Sequence, residues 1–175
     1  MPREMNKILT KCRSVTIGGN TKQELYQVFQ KQSIMMNDYA KTLFDSEHLV
    51  ISSEKYTLDI VMLTVEALGF PHGAKMKTII NKAKSVGLHV CPLELGPYMR
   101  LTWLEQPAVN SHSHSKSKKA PYGSVTIISD PVCEHDNFPK GFYLRNIDGV
   151  LWLRGYLADD EHIWNPDDYL LFTGH

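Results

Sequence analysis

GFYLRNIDGVLWLRGY, residues 141–156, reads as two strands joined by the turn Asp148-Gly149. Asp-Gly suits a type I′ connection, in which both central residues need positive φ. That turn sets the pairing: Ile147 opposite Val150, Arg145 opposite Trp152, and Tyr143 opposite Arg154. Paired residues share a face of the ribbon, so Phe142, Leu144, Leu151 and Leu153 form its core side. The other side carries Tyr143, Arg145, Trp152, Arg154 and Tyr156, with Ile147 and Val150 at the turn. Each arginine stands across from an aromatic ring, within reach of cation–π contact. This outer face has two readings. It is a platform of cations and flat rings for a ligand, or it is a half-covered sheet face with Arg stems packed over rings.

Working outward, VTIGG at 15–19 predicts a short strand ending in a glycine turn. Thr21 and Glu24 have the spacing of a capping box, and Leu25, Val28 and Phe29 follow at helical intervals. A second helix is expected from about Asn37, with Tyr39, Ala40, Leu43 and Phe44 inward. TLDIVML at 57–63 stays open: its β-branched residues favour a strand, while the VEALG that follows ends like a helix. A third helix is expected over about 75–86, closed by Gly87. Met76, Ile79, Ile80 and Ala83 would face the core, and Lys82 and Lys84 would sit favourably at the negative end of its dipole. CPLELGPYMRLTW at 91–103 predicts a turn and then a strand, with Met99, Leu101 and Trp103 alternating against Tyr98, Arg100 and Thr102. VNSHSHSKSKKAPYG is of low complexity and predicts a mobile polar loop at about 106–121. SVTIIS at 124–129 predicts another strand. The expected fold is α+β in a single domain over 1–175, with helices mainly in the N-terminal half and a mostly antiparallel sheet in the C-terminal half.

Composition narrows the class. With 42% hydrophobic and 22% charged residues over 175 positions, the chain can bury one proper core. No apolar run is long enough to span a bilayer, and MPREMNKILTKCRSV lacks the apolar stretch of a signal peptide. Cys12, Cys91 and Cys133 are odd in number and far apart, with no CxxC pair. These features predict a cytoplasmic protein with reduced thiols and no membrane partner. Formal charge is zero overall but uneven along the chain. Residues 1–129 carry 16 Lys and Arg against 10 Asp and Glu, and residues 130–175 carry 3 against 9. Attraction between the two parts within one fold is the simplest consequence; a basic patch for an anionic partner is the sharper one.

LHVCPLELGPYMRLTW, GFYLRNIDGVLWLRGY and WNPDDYLLF together resemble a family of small uncharacterised bacterial proteins. VTIGGNTKQEL and GFPHGAKMKTIINKAKSVGL resemble it as well, so the likeness covers most of the chain apart from the Ser/His/Lys stretch. It implies no particular chemistry. Some members are labelled helicases, but a helicase needs a GxxxxGK[ST] loop to cradle phosphates, and this chain has none. Gly18-Gly19-Asn20-Thr21-Lys22 has the wrong order and spacing.

Two sets of polar side chains carry residue types suited to chemistry. His112, His114, Cys133, Glu134, His135 and Asp136 include metal-ligating types, but zinc needs four held ligands and this spacing matches no known site. Asp159, Asp160, Glu161, Asp167 and Asp168 surround His162 and Trp164, where carboxylates beside an imidazole could do acid–base work. Asn165-Pro166-Asp167-Asp168 reads more simply as a turn with proline at its second position. There is no GxSxG elbow and no cofactor motif. The expectation is a non-catalytic binding or interaction module that uses Tyr143, Arg145, Trp152, Arg154 and Tyr156. A protein or a small anion comes before nucleic acid as its partner, because the RNA-recognition signature is missing. The alternative is a small, metal-assisted hydrolase built on His135, Asp136 and His162, with Glu134.

Overall fold

The structure, a computed structural model, describes residues 11–111 and 121–174. Nine strands are described: β1 (Lys11–Ile17), β2 (Met35–Met36), β3 (Tyr56–Thr64), β4 (Ala74–Lys75), β5 (Val125–Ile127), β6 (Gly141–Ile147), β7 (Val150–Tyr156), β8 (Ile163–Trp164) and β9 (Tyr169–Thr173). The helices are α1 (Lys22–Lys31), α2 (Asp38–Asp45), α3 (Met76–Ser85) and α4 (Leu95–Thr102). Seven strands form one sheet in the order β1-β3-β9-β5-β6-β7-β2, and β4 pairs with β8 in a second, two-stranded sheet.

The α+β class holds, and the helices lie mainly in the first half of the chain, but the sheet is neither confined to the second half nor antiparallel throughout. Two strands of the first half, β1 and β3, build one side of the large sheet. The sheet is mixed, because β5 runs parallel to β9 and β2 runs parallel to β7. The open stretch at 57–63 is strand, and Glu66–Leu68 form a single 3-10 turn closed by Gly69 at φ +100°.

Residues 95–102 are helical, not the expected strand. Leu95, Gly96, Pro97, Tyr98, Met99 and Arg100 are all buried. A helix enclosed on every side shows no amphipathic stripe, and its alternating apolar residues then imitate a strand. Pro97 falls in the first turn, where a missing N–H breaks no helical bond. This helix packs against β1 near one end of the sheet and against β6 and β7 near the other, so the sheet curls around it. Gly96 permits that approach: a Cβ there would lie 2.4 Å from the Phe142 ring.

The concave core joins Val15, Ile60, Leu171, Phe142 and Leu153 of the sheet to Leu25, Phe29, Leu43 and Phe44 of α1 and α2. On the convex side, Ile79 and Ala83 of α3 cover Val61, Leu63, Leu170 and Phe172 of β3 and β9. The sequence-level helix starts hold. Thr21 and Glu24 form the capping box, and Asn37 caps α2. Tyr39, expected inward, is 42% exposed. The stretch expected to be a polar loop begins with buried Gln106, and Val109 bridges to Ile147. Residues 112–120 lie outside the described residues.

Asn37 ties α2 to the hairpin. Its Oδ1 accepts from Ala40 N (2.9 Å) and Gly155 N (2.8 Å), and its Nδ2 donates to Gly155 O (3.0 Å). The side chain thereby continues the pairing that Met35 and Met36 make with β7. Asn37→Ala is expected to lower folding stability by about 2 kcal/mol, from a lost cap and an unpaired strand edge. Urea unfolding measures this, and a loss below about 0.5 kcal/mol would show that the strand edge is satisfied without it.

Glu94 performs a similar role ahead of α4. Its carboxylate accepts from Ser52 N (2.9 Å), Ser52 Oγ (2.6 Å) and Tyr56 OH (2.6 Å). Burial, and then the Glu94 carboxylate, push the Tyr56 phenol up from 10.0 to about 12. The folded state therefore keeps this proton longer than the unfolded chain. Its contribution is complete below pH 10 and is lost as pH rises towards about 12. Across that window Tyr56→Phe should lose less stability than the native chain in urea melts at stepped pH. Equal losses in the two proteins would remove Tyr56 as the cause.

Candidate functional site

The hairpin forms in the expected register, with Tyr143 opposite Arg154, Arg145 opposite Trp152 and Ile147 opposite Val150. Asp148 and Gly149 take φ values of +52° and +86°, as a type I′ turn requires. On the outer face Arg154 is held in place. Its Nε donates to Tyr143 OH (2.7 Å), and its guanidinium carbon lies 5.8 Å from the Tyr143 ring centre and 5.0 Å from that of Trp152. Neither Nη atom has a protein partner among the described residues. Arg145 is set differently: its Nε is buried without a partner. Burial pulls the Arg145 guanidinium below the ordinary arginine range; the Tyr143 phenol opposes that shift and the nearby Arg154 charge adds to it.

From Tyr143 a row of rings runs along the sheet. Tyr143 and Tyr156 have centres 6.5 Å apart at 61°, Tyr156 and Trp164 5.7 Å at 87°, and Trp164 and His162 5.3 Å at 89°. These are edge-to-face geometries that hold one another upright. Burial pushes the Tyr156 phenol up, so it remains a neutral wall.

The row borders a cleft of about 280 Å³ on the part of the outer face that α3 leaves bare. The hairpin supplies Tyr143, Arg154 and Tyr156; β8 and the turn before it supply Trp164 and His162; the start of α2 supplies Tyr39. Ser124 and Thr126 come from β5 and the residue before it. Both residues are largely buried, at 5% and 3% exposure, but their hydroxyls open onto the cleft and have no hydrogen-bond partner among the described residues. Among the described residues no carboxylate lines the cleft.

Of the five expected platform residues, Tyr143, Arg154 and Tyr156 line this cleft, while Arg145 and Trp152 lie beyond its wall. The sequence reading missed Ser124 and Thr126. The alternation in SVTIIS places both on one face and could have flagged them. Trp164 is buried and forms a wall of the cleft.

The other candidate sets do not assemble. Glu134, His135 and Asp136 are exposed on the turn before β6, and His162 belongs to the cleft. Among the described residues no group of three His, Cys, Asp or Glu side chains is placed to hold a metal ion. His112 and His114 lie outside the described residues. The acidic stretch performs structural work. Asp159 Oδ1 accepts from Glu161 N (3.0 Å), and Glu161 pairs with Lys75 (2.6 Å). Asp168 closes the Asn165–Asp168 turn through Asn165 N (2.8 Å), with Pro166 at the expected position. The buried Cys91 Sγ donates to Leu171 O (3.3 Å), and burial pushes its thiol up, away from reactivity.

No family model, curated protein or solved structure matches the chain.

Proposed function

We propose that this chain is a non-catalytic binding module that takes a small anionic group on the outer face of its 141–156 hairpin. One observation carries the proposal. Arg154 lines the cleft and is fixed through its Nε and two flanking rings, which leaves both Nη groups without a protein partner among the described residues, none of which brings a carboxylate to the cleft. A fixed guanidinium binds an oxyanion through two parallel bonds and loses little side-chain freedom in doing so. The cleft is a half-open recess of about 280 Å³, a size that suits one small group better than a length of nucleic acid. A catalytic reading lacks its parts: among the described residues no Ser or Cys hydrogen-bonds a histidine side chain, and no carboxylate reaches the cleft.

Chemical-shift titration with inorganic phosphate tests this. Saturable shifts are expected at Tyr143, Arg154 and Tyr156. Arg154→Gln should weaken binding about tenfold or more, the effect of losing a charge-assisted pair of bonds. Lys84→Gln, on the far helix, should leave it unchanged. Shifts spread over the surface, or insensitive to Arg154→Gln, would overturn the proposal.

A further inference from the structure

Ser124 and Thr126 add a second chemistry to the cleft. Thr126 pairs with Tyr143 across β5 and β6, and Tyr143 pairs with Arg154 across β6 and β7. Thr126, Tyr143 and Arg154 thus form one row across three adjacent strands, on the same face. Ser124, two residues before Thr126, falls on that face as well. Both hydroxyls open onto the cleft without a protein partner, so a ligand oxygen can take the place of water there. Two such hydroxyls and two free Nη groups form a set of donors that outnumbers the two oxygens of a carboxylate. A phosphate monoester has three terminal oxygens to receive them.

The remaining walls call for something flat and apolar. Tyr156, Trp164, Tyr39 and Leu157 line the same cleft with rings and hydrocarbon. A volume of about 280 Å³ leaves room for one ring beside one phosphate. Resting on the anion-binding role proposed for Arg154, we infer that the cleft receives the phosphate monoester of a small aromatic compound. The phosphate would lie at Arg154, Ser124 and Thr126, and the ring against Tyr156 and Trp164.

Calorimetric titration with phenyl phosphate and methyl phosphate tests this on the native chain, Thr126→Val, Thr126→Ser and Arg154→Gln. Phenyl phosphate is expected to bind about tenfold tighter than methyl phosphate, from the area its ring removes from water. Thr126→Val keeps the shape and removes the hydroxyl, so both probes should weaken about fivefold, and Thr126→Ser should restore them. Equal affinities for the two probes would overturn the aromatic part. An unchanged affinity in Thr126→Val would overturn the phosphate seat. In either case continued dependence on Arg154 would leave the anion-binding module standing. Loss of Arg154 dependence for both probes would remove the module and this inference together.

Discussion

Replacing Arg100 by leucine is expected to lower folding stability by about 4 kcal/mol. Arg100 is wholly buried inside the curl of the sheet. Its Nη1 donates to Gln106 Oε1 (2.6 Å) and to the carbonyls of Arg145 and Trp152 (3.3 Å each), and its Nη2 donates to Trp103 O. One side chain thus holds the end of α4, the segment after it and both strands of the hairpin. Burial pulls its guanidinium down to about 10, and the nearby Glu105 charge opposes this, so the cation persists at neutral pH. Leucine fills much of the space but leaves Gln106 and three carbonyls without that donor, and unsatisfied buried polar groups carry the largest penalty in such a cluster. Arg100→Lys keeps the charge, yet one ammonium cannot span four acceptors, so a smaller but clear loss is expected. Urea unfolding of both variants measures this. A loss below about 1 kcal/mol in Arg100→Leu would show that the curl is held by apolar packing alone.

Gly155→Val is expected to lower stability by about 3 kcal/mol and to close the cleft to phosphate. A Cβ at this position would lie 2.7 Å from Tyr39 C and 2.8 Å from Ala40 N. Both are backbone atoms in the first turn of α2, and no rotamer change can move them. To make room, α2 must retreat from β7, which breaks the Asn37 bonds to Gly155 and carries the Tyr39 wall outward. Denaturation with urea reads the first effect and phosphate titration the second. A variant as stable as the native chain, with intact binding, would show that this contact is loose.

What was legible in the sequence is what neighbouring residues decide. Asp148-Gly149 dictates its own turn, and the turn dictates the register, so Tyr143, Arg154 and Tyr156 could be placed on one face from their spacing. Thr21 and Asn37 announce helix starts because a cap acts over three residues. Helix α4 was hidden because its surroundings come from β1, β6 and β7, which no local pattern records. The cleft was half legible for the same reason. Its hairpin wall follows from alternation, but Trp164 and Thr126 reach it only through the sheet order. That Arg145 and Trp152 fall outside depends on where the recess ends, a feature of the assembled face.

Strand β9 lies between β3 and β5 and is the last of the described strands in the chain. Until it is in place, β1 and β3 are one ribbon, β5, β6 and β7 are another, and no backbone pairing joins the two. Between Thr64 and its partner Tyr169 the chain must close a long loop, a step with a large entropic barrier. During synthesis both ribbons emerge with an open edge and meet water before their common neighbour exists. Joining of the two ribbons therefore waits for β9, and the interval before it is when their open edges are most exposed to pairing with other chains.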